Sequence, residues 1–86
     1  MDGGGGSSLR LAPHAVLLRR STTELQIGVE PSVVVPTAYD GLVRALAVGA
    51  GPDELERIAD EQGLGPRAVP DLLAALARSR LLQPAP

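Results

Sequence analysis

An α+β domain, with a three-stranded antiparallel sheet followed by three helices, is what this sequence predicts. Three observations predict it. Apolar and polar residues alternate through "ELQIGVE", residues 24–30, which is the period of a half-buried strand. Three consecutive valines follow at Val33, Val34 and Val35 and are closed off by Pro36, a run that is β-branched and poor as helix. Beyond Pro36 the apolar spacing changes from two to three and four and stays so to Leu82.

The first strand is expected over Ala15-Val16-Leu17-Leu18-Arg19, an apolar run with Pro13 before it. Ser21-Thr22-Thr23 forms the turn, although no glycine specifies its type. The second strand carries Leu25, Ile27 and Val29 on one face, and Glu30-Pro31-Ser32 turns the chain into the valine strand. Thr37 and Asp40 have the spacing of a capping box, after which Tyr39, Leu42, Val43, Leu46 and Ala47 share one helical face. Gly49 and Gly51 stop this first helix. Pro52 and the acids Asp53, Glu54 and Glu56 suit the start of a second helix, whose buried stripe is Leu55, Ile58 and Ala59 and whose end is Gly63. The third helix starts with Pro70 at its first position, buries Val69, Leu72, Leu73 and Leu76 with Arg80 on the same side, and is followed by Leu81-Leu82. The sheet and the helices must bury each other, since neither has another partner.

The organisation expected for the 86 residues is one domain over 13–83. Residues 1–12 read as a flexible Gly/Ser-rich lead and 84–86 as a Pro-rich tail. There is no Cys and one His, so neither a disulfide nor a zinc site is expected to staple the core. Tyr39 is the only aromatic residue, which leaves Leu, Val, Ile and Ala to fill the interior. The net charge is −2, with eight arginines and no lysine. That balance argues against non-specific nucleic-acid binding, which depends on clustered cations. No stretch has the length of a membrane span, and the reading is of a soluble, cytoplasmic module without cofactor or metal.

Chemistry-bearing groups are scarce. His14 stands beside Pro13 at the entrance to the first strand, and the serines and threonines fall in the lead or in turns with no base expected nearby. The acids of the second helix are explained by a solvated face and the helix dipole. The four glycines at 3–6 have no preceding strand and no lysine, so they are not a phosphate loop. The chain is not expected to be an enzyme.

Residues 53–82 have the rhythm of a helix-turn-helix, with the turn at Gly63-Leu64-Gly65. The outward face of the third helix carries Asp71, Ala74, Ala75 and Arg78, with Arg67 just before it. A base-reading helix would place Arg, Lys, Asn or Gln at its N-terminal end, and an acid there repels phosphate. Small alanines rimmed by charges suit instead a shallow groove for a partner's apolar side chain. The valine strand is expected to leave one backbone edge of the sheet unpaired, on which an extended peptide adds a fourth strand. Pro31 and Pro36 bracket that edge and limit its length.

The pairing of "VLLRR" with "ELQIGVE", the "SVVVP" strand and the three-helix tail ending "LLAALARSRLL" resemble the PqqD-like RiPP recognition element, a winged-helix-like peptide-binding domain of ribosomal peptide natural-product biosynthesis. The pattern is particularly similar to the N-terminal segment of actinobacterial cyclodehydratase-partner proteins. The resemblance covers about residues 13–83, nearly the whole of one domain of this size; its motifs are hydrophobic patterns, and the run of four glycines departs from it. It implies that a precursor's leader peptide binds as an added strand on Val33, Val34 and Val35 and lies along the third helix at Arg67, Asp71, Ala74, Ala75 and Arg78. It further implies that the chain delivers the peptide to a tailoring enzyme, such as a cyclodehydratase or dehydratase, by raising its effective concentration. Two other readings stay open: a small winged helix-turn-helix that binds DNA, and a structural docking domain of a larger enzyme.

Overall fold

A computed structural model describes residues 8–84. The expected Gly-rich stretch at 3–6 and the last two residues of the expected tail lie outside the described residues. The fold is α+β. Among the described residues, five strands and three helices follow one another: β1 (Leu9–Leu11), β2 (Leu17–Arg19), β3 (Glu24–Ile27), β4 (Val33–Pro36), α1 (Asp40–Val48), α2 (Pro52–Glu61), α3 (Ala68–Arg78) and β5 (Leu82–Pro84). A single 3-10 turn, Thr37–Tyr39, links β4 to α1.

The central sheet has the order β2-β3-β4 and is antiparallel throughout. This is the expected meander, with a shorter first strand. Ala15 and Val16 are held in the turn after Pro13, where the Ala15 N–H donates to the Ala12 carbonyl and the Val16 N–H to that of His14. The turn between β2 and β3 is closed by a side chain, with Ser21 Oγ accepting from the Thr23 N–H at 3.2 Å, as expected of local serine bonding. β3 stops at Ile27, two residues before the expected end. Gly28 has φ of +82°, which few side chains tolerate, and turns the chain so that Val29 is 66% exposed and not buried as the alternation predicts.

A second, two-stranded sheet pairs β1 with β5 and was not expected. Leu9 pairs with Pro84, Arg10 with Gln83 and Leu11 with Leu82. On its other side Leu9 exchanges two 2.8 Å hydrogen bonds with Ala50. The described part of the expected lead is therefore structured: Leu11 and Ala12 are buried, and Pro84 belongs to a strand and not to a tail. Three residues make too short a pattern to stand out from a Gly/Ser-rich flank, and the partner strand is more than 70 positions away, as the Leu9–Pro84 pair shows.

The helices follow the apolar spacing. Leu42, Val43 and Leu46 of α1, Leu55 and Ala59 of α2, and Ala68, Val69, Leu72 and Leu76 of α3 meet Leu25, Ile27 and Val35 of the sheet in one core. Ala47 is exposed and Ile58 and Leu73 are half-buried, so the stripes are narrower than predicted. The capping box does not form. Thr37 Oγ1 donates to the Thr22 carbonyl at 3.2 Å, and Asp40 is engaged by Arg44 one turn along α1 at 2.6 Å. α3 begins at Ala68, which makes Pro70 its third residue and not its first. That position costs nothing in hydrogen bonding, because the first four N–H groups of a helix have no partner within it. Arg80 lies past the end of α3, in the left-handed region at φ 58°. No helix among the described residues is long and apolar enough to cross a membrane.

Candidate peptide-docking edge

β4 is an outer strand of its sheet, and the register shows which of its groups face outward. The Thr37 N–H donates to the Thr23 carbonyl at 2.9 Å, and these two residues stand opposite each other in the register that pairs Leu25 with Val35 and Ile27 with Val33. In an antiparallel ladder, hydrogen-bonded pairs alternate with non-bonded ones. Leu25–Val35 and Ile27–Val33 are thus the bonded pairs, and Gln26–Val34 and Glu24–Pro36 are not. It follows that Val33 and Val35 direct their N–H and C=O groups toward β3, whereas Val34 and Pro36 direct theirs away from the sheet. Pro36 has no N–H to present, and an outward-facing edge position is where a proline is tolerated in a sheet.

Side chains alternate with the same period. Val35 is buried and Val33 half-buried, while Val34 lies on the outer face and is 40% exposed. The three valines that the sequence groups together are divided: two anchor the strand to the core and one is available on the surface. No described residue pairs with the outer flank of β4, since β1, the candidate to cover it, pairs with β5.

The third-helix residues form a separate group. Ala74, Asp71 and Arg78 are exposed and Ala75 is half-buried. Arg67 and Asp71 bind each other, one turn apart at 3.3 Å and both largely exposed, so the charges expected to rim the alanines largely neutralise one another. α3 packs chiefly on α2 and β5. The alanine face and the valine edge therefore belong to elements that are not principal neighbours. A cleft of about 290 Å³ opens elsewhere, at the α2–α3 corner, lined by Glu56, Ala59, Asp60, Gly63, Gly65 and Pro66; it contains none of the residues singled out from the sequence. His14 is exposed in its turn. No group of three or more metal-ligating side chains is assembled among the described residues.

The sequence reading predicts one open edge, and among the described residues the sheet has two. β2 is the other outer strand and all three of its residues are exposed. The run "VLLRR" carried the signal: apolar residues that fall on both faces of a strand leave one set in water.

Compared with family models, characterised proteins and solved structures, the chain matches none. The geometry thus defines a class and no particular relative: a small α+β domain whose two outer strands, β2 and β4, have no further partner strand among the described residues.

Proposed function

We propose that this chain is a peptide-capture module, which binds the leader segment of a ribosomally made precursor and presents it to a modifying enzyme. The observation that carries this reading is the β4 edge. Val34 offers an outward N–H and C=O, and Val33 and Val35 hold the strand to the core. An extended peptide laid along it gains main-chain hydrogen bonds without any rearrangement of the sheet. Val34 gives the guest an apolar contact on the outer face. In this reading the α3 residues Asp71, Ala74, Ala75 and Arg78 act beyond the edge, on the part of the peptide that runs past β4.

A module of this kind does no chemistry. It works in the cytoplasm, where precursors are made, and raises the local concentration of its guest near a cyclodehydratase, dehydratase or similar enzyme. The likeness to winged-helix-like recognition elements belongs to the same proposal. Titration calorimetry with leader peptides encoded beside the chain's own gene tests it, followed by amide shifts along 32–36. Binding in the micromolar range with shifts on that segment supports the reading. Indifference to every such peptide, or a salt-sensitive complex with duplex DNA in its place, removes it.

A further inference from the structure

We propose that the β2 edge is a second strand-accepting site, and that it takes an extended partner segment in which two acidic residues precede apolar ones. The backbone argument is independent of β4. The Arg20 N–H donates to the Glu24 carbonyl and the Gly28 N–H to the Val16 carbonyl, at 3.1 and 2.7 Å. Each pair stands directly opposite in the register that aligns Leu17 with Ile27 and Leu18 with Gln26. Even-numbered residues of this strand therefore face β3, and Leu17 and Arg19 present their N–H and C=O groups outward. No described residue bonds them.

The side chains along this flank are unusual for an uncovered edge. Val16, Leu17 and Leu18 are 50%, 37% and 41% exposed, and the alternation puts Leu17 on the helix-facing side and Leu18 on the other. An apolar strip on both faces of one edge is matched by a guest that is apolar on both faces. Immediately after it come Arg19 and Arg20, neither of which forms an ion pair among the described residues. These charges also select the occupant. Pairing β2 antiparallel with β2 of a second copy, centred on Leu18, would set Arg19 opposite Leu17 and Arg20 opposite Val16 and leave all four guanidinium groups without an acid, so a second copy answers the apolar residues but not the charges. A guest running antiparallel meets Arg20 and Arg19 first, then Leu18, Leu17 and Val16. Opposite-charge and apolar cross-strand pairing then prescribes its order, N to C: acid, acid, apolar, apolar, apolar.

The test titrates the isotopically labelled full chain with a peptide containing Glu-Glu-Val-Ile-Val between Gly/Ser flanks, and with its Lys-Lys-Val-Ile-Val counterpart. The acidic peptide is expected to shift the amides of residues 16–20, less so at high salt, while the lysine peptide leaves them in place. Reversing both charges, Arg19→Glu with Arg20→Glu, should weaken binding of the acidic peptide at least about fivefold; Arg44→Glu with Arg57→Glu, an equal charge change on α1 and α2, should not. Equal binding of the two peptides, shifts confined to 33–36, or changes that follow protein concentration alone and so report a second copy would each overturn the proposal. Wild-type spectra unmoved by either peptide would do the same, and would mean that the arginines serve only to keep the edge unpaired.

Discussion

Gly63 and Arg80 occupy the same backbone position at the ends of two different helices. Each is the left-handed residue of a Schellman motif, with φ 68° and 58°. After α2 the Leu64 N–H donates to the Ala59 carbonyl and the Gly63 N–H to that of Asp60; after α3 the Leu81 N–H donates to the Leu76 carbonyl and the Arg80 N–H to that of Ala77. In both, two orphan carbonyls are satisfied and the following leucine folds back on the helix. After α3 the contact is fully buried, since Leu76 and Leu81 are both 0% exposed, and this is what aims the chain into β5.

The two residues should respond in opposite directions. Arg80→Gly relieves a side chain held in the left-handed region and is expected to stabilise the fold by about 0.5–1 kcal/mol, whereas Gly63→Ala should destabilise it by about 1 kcal/mol. Urea unfolding followed by circular dichroism measures both.

Gly28→Ala should cost more, at least about 2 kcal/mol. A Cβ at Gly28 would stand 2.6 Å from the Pro31 carbonyl oxygen and 3.0 Å from the Leu81 side chain, at a positive φ. The first obstacle is backbone and cannot swing aside. A melting temperature equal to that of the parent would show that the turn after β3 relaxes freely.

Two prolines separate binding from folding on β4. Val34→Pro deletes an outward N–H and leaves the β3–β4 ladder intact, so the chain should stay folded and bind leader peptide at least about tenfold more weakly. Val35→Pro deletes an N–H directed at β3 and should unfold the sheet. The alanine face gives the comparison: Ala75→Ser should weaken peptide binding less than Val34→Pro does. Calorimetry for affinity and circular dichroism for folding distinguish the outcomes.

Leu11→Ala tests whether β1 is part of the core. Leu11 is 7% exposed and belongs to the cluster that holds Leu46 and Leu81. Truncating a buried leucine costs about 2–5 kcal/mol, and a midpoint shift of that size in chemical denaturation is expected. A residue in a flexible lead would give none.

The meander, the three helices and most of the buried residues are legible in the residues alone. Leu25, Ile27, Leu42, Leu46, Leu72 and Leu76 repeat at two or at three and four, and a period is a local property that needs no partner to be read. Pro36 likewise announces an edge from its chemistry, because a missing N–H is harmless only where nothing needs it. What the residues do not disclose is pairing across distance. Leu9–Leu11 is too short to carry a period, and its strand exists because the Schellman turn at Arg80 returns Leu82–Pro84 to it. Thr37 and Asp40 have capping spacing, yet Thr22 and Arg44 offer them other partners. The division of the valine triplet into two anchors and one outward group, and the second open flank at Leu17 and Arg19, follow from register. Register is set jointly by facing strands and by the core they bury, so it belongs to the folded chain as a whole and not to any stretch of it.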